Sequence, residues 1–218
     1  MRILIIGGTG AAGSRIATDA QRRGHEVTVA ARTATPQGPG LEPEVVRLEA
    51  SDVDAVVARA AQADVVIGAT RPAVGREDDV TAVTRSLAVG TALAGVRLLV
   101  VGGAAPLRVP GTDRAALDDP RWVPPAIRSI AAASSRQLEL LRMTDGVAPW
   151  TYLAPAADFA PGPSRGTYRS HLGKEGAVPD LVIADDGTSR ISMEDFALAV
   201  CDEIEHPRML RGVIALGW

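Results

Sequence analysis

The chain has 218 residues, 46% of them hydrophobic but only 3% aromatic, and a formal charge of −3 with a pI near 5.6. That length suits one α/β core built from Ala, Val, Leu and Ile, and the mildly acidic balance argues against a nucleic-acid surface, which needs a basic face. A lone cysteine, Cys201, excludes an intrachain disulfide and a Cys-based metal site. No apolar run is long enough to span a membrane and no signal peptide opens the chain, so a soluble, cytoplasmic protein without a metal is expected.

The first stretch, MRILIIGGTGAAG, runs from Met1 to Gly13. Ile3, Leu4, Ile5 and Ile6 form the unbroken apolar run of a parallel strand buried on both faces. Gly7, Gly10 and Gly13 then give G-x-x-G-x-x-G, which permits a tight turn, a close approach of backbone to a pyrophosphate, and close packing of helix on sheet. Ala12, Ile16 and Ala20 fall on one helical face, the helix stops near Gly24, and a strand from Glu26 to Ala30 follows. The free N–H groups and dipole at the helix start would face phosphates, which a Gly-rich turn without ligand would not need.

The second strand, HEVTVAAR, ends at Arg32 and Thr33. Dinucleotide folds place an acidic residue about 20 residues beyond the glycine turn for the ribose hydroxyls of NAD, or an arginine nearby for the 2′-phosphate of NADP. No Asp or Glu lies between Glu26 and Glu42, so Arg32 is expected to pair with a 2′-phosphate and Thr33 to donate a hydroxyl. The alternative is a solvated arginine at a strand end.

Residues 33 to 43 read as a Pro/Gly-rich loop, and Glu44 to Ala50 as the third strand. Ser51 is expected to cap a short helix, while the Ser51–Asp52 pair also sits where an adenine edge is met. The fourth strand, Asp64 to Thr70, crosses to the other half of the sheet and brings Ala69, Thr70 and Arg71 to the crevice at the topological switch point. A helix from about Asp78 to Ala94 buries Val80, Val83, Leu87 and Ala94, and the fifth strand ends in Gly102 and Gly103, with Gly102 counted among the residues lining the cofactor site. Pro124–Pro125 is expected to start the longest helix, with Ile127, Ile130, Ala131, Ser134, Leu138 and Leu141 along its buried stripe, before strand six, PWTYLAP.

Strands alternating with helices predict a Rossmann-type, doubly wound parallel sheet, one domain over residues 1–218. From Ala156 to Leu181 the regularity weakens into a Gly/Pro-rich segment carrying aromatics, as a substrate cover would. The chain closes with a short strand near Arg190–Ile191, a capping box at Ser192 and Asp195, a helix through Phe196, Val200 and Ile204 beside which Cys201 packs, and a last strand, GVIAL. His25 and His206 sit at element ends with no partner visible in the sequence.

These residues resemble the atypical short-chain dehydrogenase/reductase superfamily, and within it the NADH-flavin reductase-like group that includes biliverdin reductase B. The resemblance rests on GGTGAAG at Gly7 to Gly13, VAAR at Val29 to Arg32, VVGGA at Val100 to Ala104, YLAPAADFAPG at Tyr152 to Gly162 and GTSRISMEDFA at Gly187 to Ala197. It implies that Gly7, Thr9, Gly10, Ala11 and Ala12 hold the pyrophosphate, that Arg32 holds the 2′-phosphate, and that Pro155 and Ala156 touch the nicotinamide.

The resemblance supplies no catalytic set. Most short-chain dehydrogenases use a Tyr-x-x-x-Lys pair on the helix before strand six and a serine after strand five, whereas this chain offers Ile130, Ala131, Ser134 and Ser135 there, and Gly102 to Leu107 carry no serine. Carbonyl reduction needs a positioned acid, but hydride transfer to a flavin needs mainly orientation, because the ring delocalises the charge. An NADPH-dependent reductase of a flavin, quinone or similar planar acceptor is therefore expected. Trp122, Phe159 and Tyr168 either form apolar walls for such a ring or simply pack, and His171 either supplies a proton or is a solvated loop residue. The competing functions are a non-catalytic NADP(H)-binding sensor and, with less support, an isomerase or epimerase using tightly bound cofactor.

Overall fold

The computed structural model describes residues 1–33, 43–73, 75–144, 148–173 and 176–218. Its main sheet has eight strands in the order β3-β2-β1-β4-β5-β6-β10-β8. These are β1 (Arg2–Ile6), β2 (Glu26–Ala31), β3 (Glu44–Arg47), β4 (Val65–Gly68), β5 (Arg97–Val101), β6 (Trp150–Ala154), β8 (Arg169–Leu172) and β10 (Arg211–Gly217). A small separate ladder pairs β7 (Asp158–Ala160) with β9 (Arg190–Ser192). Strands β1 to β6 and β10 run parallel, and only β8 is antiparallel, against β10. The architecture is a single α/β Rossmann-like domain.

Alternation along each strand feeds two apolar layers. Ile3, Ile5, Val65, Ile67, Leu99, Leu153 and Ile214 join helices α1 (Ala11–Arg22) and α5 (Met193–Glu205) on one face. Leu4, Ile6, Val66, Leu98, Val100, Tyr152 and Ala154 meet α2 (Val53–Ala60), α3 (Asp79–Leu93) and α4 (Arg128–Met143) on the other. At the amino end of β5, the fully buried Glu203 accepts from Arg97 at 2.7 Å and from the N–H groups of Arg208 and Met209, fixing α5 to β5 and β10.

Several boundaries differ from those the sequence suggests. The third strand ends at Arg47, and Asp52, not Ser51, caps α2 by accepting from the Ala55 N–H at 3.1 Å; Ser51 donates instead to Glu49. Pro125–Ile127 form a 3₁₀ turn ahead of α4, which leaves Ile127 exposed and outside the buried stripe. Ser192 does cap α5, from the Asp195 N–H at 3.1 Å, but the Asp195 side chain turns away from the reciprocal bond of a capping box. His25 has a partner after all, Glu205, at 3.0 Å. The loop of residues 33–43 lies mostly outside the described residues.

Candidate functional site

Strand order reverses between β1 and β4, so the crevice for a ligand lies beyond the carboxyl ends of β1, β4, β5 and β6. Gly7 opens it, with φ +88° and its N–H bonded to the Ala30 carbonyl at 2.8 Å. A Cβ on Gly7 would meet the Ala69 carbonyl oxygen at 2.5 Å, so the glycine turn and the β4 turn touch backbone to backbone. Thr70 is half-buried and Arg71 exposed just beyond this contact.

Helix α1 begins at once after the turn. Gly10 is its N-cap, no side chain caps it, and no acidic residue occupies its first turn. The first intrahelical bond of the turn joins the Ser14 N–H to the Gly10 carbonyl, which leaves the amides of Ala11, Ala12 and Gly13 without helical acceptors. Uncapped amides at the positive end of a helix fit a pyrophosphate. Gly13 completes the cradle, because a Cβ there would sit 2.4 Å from the Gly7 carbonyl oxygen.

Arg32 and Thr33 are exposed at the end of β2, at the edge of the described residues, and no acidic partner is found for Arg32 among them. Ser51 and Asp52 lie beyond β3, two strands out from the glycine turn, on the side expected for the adenine half.

At the other half of the crevice, β5 is followed by Gly102 and Gly103, and β6 ends in Ala154, followed by the buried Pro155 and Ala156. Beneath the β5 turn lies Tyr152, fully buried. Its phenol oxygen accepts from the Gly103 N–H at 3.0 Å and donates to the Ser134 carbonyl at 3.0 Å. Burial pushes this phenol above its ordinary range, outweighing the Gly103 N–H and the Ser134 side chain, which favour the ionised form, so it stays neutral. The Ser134 hydroxyl donates to Ala131 at 2.7 Å.

The structure does not gather Trp122, Phe159, Tyr168 and His171 around one pocket. Trp122 is buried in the layer of α2, α3 and α4. Phe159 packs on Phe196 of α5 with ring centres 4.9 Å apart, on the opposite face. Tyr168 donates to Asp202 at 2.8 Å, and burial together with that carboxylate pushes its phenol up to about 12. His171 stands exposed on β8 beside the Asp180 carbonyl. Cys201 is a buried thiol whose ionisation burial opposes, in keeping with packing.

Residues 162–166, early in the segment expected to cover the acceptor, are fastened to the body. Glu194 accepts from the Gly162 N–H at 2.8 Å, and the buried Asp195 accepts from the Ser164 hydroxyl and from the Arg165 and Gly166 amides. The indole of Trp218 donates to the same carboxylate at 2.8 Å, and the Arg165 guanidinium lies 3.6 Å above that ring. Sequence reasoning missed Tyr152 as the support of the β5 turn, and Glu194 and Asp195 as the anchors of residues 162–166. The phenol's only signal is its place in a strand, WTYLA, that follows one leading into two glycines.

A family model described as NAD(P)H-binding matches residues 7–207. The Bacillus subtilis (strain 168) protein YwnB is 36% identical over 213 residues, covering 95% of this chain and 93% of that protein. A candidate epimerase from Bacteroides thetaiotaomicron has a similar solved structure, with TM-score 0.85 and 33% identity over 100% of this chain and 96% of that one. A candidate NADH-flavin reductase from Streptococcus pneumoniae TIGR4 matches with TM-score 0.86 and 26% identity, covering 100% and 99%. The chain belongs to the NAD(P)H-binding family, within the atypical short-chain dehydrogenase/reductase-like group.

Proposed function

We propose that this protein is an NADPH-dependent reductase that passes hydride to a flavin, a quinone or a similar conjugated acceptor. The observation that carries the reading is the chemistry of the strand ends flanking the nicotinamide half of the crevice. Gly102, Gly103, Ala104 and Ala105 follow β5, and Ala154, Pro155, Ala156 and Ala157 close β6, so these two stretches present no side-chain acid. The hydroxyl groups that pack against Gly102 and Gly103, on Tyr152 and Ser134, have their protons committed to backbone carbonyls. Helix α4 reads RSIAAASSRQLELLRM and carries neither tyrosine nor lysine.

Bound NADPH would supply the hydride. The chain's own groups then bind and orient: the α1 amides take the pyrophosphate, Arg32 takes the 2′-phosphate, and the flat strand ends accept stacked rings. An acceptor whose ring spreads the incoming charge needs no proton at that moment, and solvent protonates it later. A ketone would leave an alkoxide with no positioned donor. The candidate flavin reductase among the similar structures points the same way for that protein. We place the activity in the cytoplasm, where a single buried thiol stays reduced.

The test is loss of reduced-nicotinamide absorbance when the protein is mixed with NADPH and, in turn, FMN, riboflavin and quinones, with NADH in parallel. Saturable oxidation well above the protein-free rate, faster with NADPH, is expected. Tight NADPH binding without turnover on any acceptor would overturn the reductase in favour of a nucleotide sensor.

A further inference from the structure

The double glycine at the end of β5 is shaped from below. A Cβ on Gly102 would lie 2.0 Å from Cζ of Tyr152 and 2.5 Å from its hydroxyl, and one on Gly103 would lie 2.8 Å from Oγ of Ser134. The turn therefore rests directly on a phenol ring from the neighbouring strand. It is held down by the bond from the Gly103 N–H to Tyr152, while the same hydroxyl donates onward to the first half of α4. One buried side chain thus connects the β5 turn, β6 and α4.

We infer that Tyr152 is a positioning residue for hydride transfer, fixing the depth of the Gly102–Gly103 turn and with it the seat of the nicotinamide ring. This rests on the proposed reductase reading, because it takes the nicotinamide to lie over β5 and β6. The phenol touches neither cofactor nor acceptor and transfers no proton. It acts through the two glycines, whose main chain it holds at one height. A displacement of about 1 Å between reacting atoms can lower a rate by as much as ~100-fold, so the height of this turn is a rate-determining dimension.

Tyr152→Phe tests this, since it keeps the ring under Gly102 and removes only the hydroxyl. The nucleotide's phosphate anchors lie on α1 and β2, so NADPH affinity should stay within about threefold of wild type while kcat with the best acceptor falls at least about tenfold. The second readout needs no acceptor. The emission of bound reduced nicotinamide, excited apart from the tryptophans, should shift or weaken at saturation, and Gly103 should exchange its amide proton faster. Gly102→Ala, which lifts the same turn off the ring, should likewise lower kcat and change the emission, and replaces the first variant if that one does not fold. Wild-type kcat and emission in Tyr152→Phe overturn the inference, as does a lower Tm or weaker NADPH binding with kcat unchanged, which would mark a merely structural phenol. A wild-type protein with no turnover at all overturns the reductase reading, while the emission comparison still decides the role of Tyr152.

Discussion

Arg15 and Glu194 join two helices that begin at the same end of the sheet. Nε of Arg15 lies 2.5 Å from Oε1 of Glu194, and the other oxygen of that carboxylate takes the Gly162 N–H. Arg15 also donates to the Ala11 carbonyl in the first turn of α1. The helix proposed to offer its amides to a pyrophosphate is therefore linked, through one ion pair, to the start of the segment expected to cover the acceptor. Both side chains are about 30% exposed, so the pair itself contributes no more than about 1 kcal/mol. Glu194→Ala removes that and the bond to Gly162, and should lower Tm by roughly 2–6 °C at this chain length. Limited proteolysis should show faster cutting within residues 161–168, and an unchanged cutting rate would mean the segment is held without Glu194.

Asp195 gives a prediction in pH. Burial opposes its ionisation, yet the Ser164 hydroxyl, the Arg165 and Gly166 amides and the Trp218 indole outweigh that opposition and hold its carboxyl below the usual range. A carboxylate whose pKa is lower in the folded state contributes stability above its unfolded value of about 3.9, and that contribution is lost as pH falls towards the lower folded value. Glu194 and Glu205, each held by an arginine, act in the same direction. Asp195→Asn turns a donor towards converging donors and should cost about 3 kcal/mol at neutral pH. Plotted against pH, the wild-type Tm should drop steeply below about pH 4, and the gap between wild type and variant should narrow there. A constant gap down to pH 3 would assign the acid sensitivity to other carboxylates.

The sequence made the nucleotide half of the fold plain because its signals are local. An apolar run, three spaced glycines and a helical stripe lie within the first two dozen residues, and the structure assembles them as one βαβ unit. The acceptor half depends on contacts across long separations. Phe159 and Tyr168 look like pocket walls in a Gly/Pro-rich segment, but pairing of β7 with β9 turns Phe159 onto Phe196, and Tyr168 finds Asp202 on α5. The double glycine after β5 was visible, but the phenol that requires it comes from a residue 49 positions later. The edge strand β8 has no pattern of its own, and only pairing with β10 makes it a strand.

Two glycines that look alike in the sequence should behave differently when replaced. At Gly24, φ is +82° and nothing lies within 4 Å of an added Cβ, so Gly24→Ala meets only backbone strain, about 1 kcal/mol, and should leave nucleotide affinity unchanged. Gly13 has ordinary helical geometry but no space. Its Cβ would lie 2.4 Å from the Gly7 carbonyl oxygen and 2.7 Å from Cα of Gly8, both backbone atoms that cannot swing aside. Gly13→Ala should therefore force α1 away from the turn, cost about 1–3 kcal/mol in overpacking, and weaken NADPH binding at least tenfold in a titration. Equal affinities for the two variants would count against the glycine turn as the phosphate site.

In the proposed reading, Arg32 sets which nicotinamide nucleotide the protein prefers. It stands exposed at the end of β2, next to the half-buried Ala31, and no carboxylate among the described residues competes for its guanidinium. The acidic side chain that would bind the ribose hydroxyls of NADH, and repel a 2′-phosphate, is missing from this stretch. A charge-assisted bond to phosphate contributes about 1.5–3 kcal/mol, so Arg32→Ala should weaken NADPH binding roughly ten- to a hundredfold. NADH lacks the phosphate and should bind the variant about as well as wild type, so the preference should collapse by loss of one ligand without gain of the other. Raising salt should weaken NADPH more than NADH in the wild type and bring the two slopes together in the variant. If both nucleotides weakened equally, Arg32 would be supporting the adenosine in general. If neither changed, the 2′-phosphate would be held elsewhere, and Thr33→Val and Arg71→Ala would be the next substitutions to titrate.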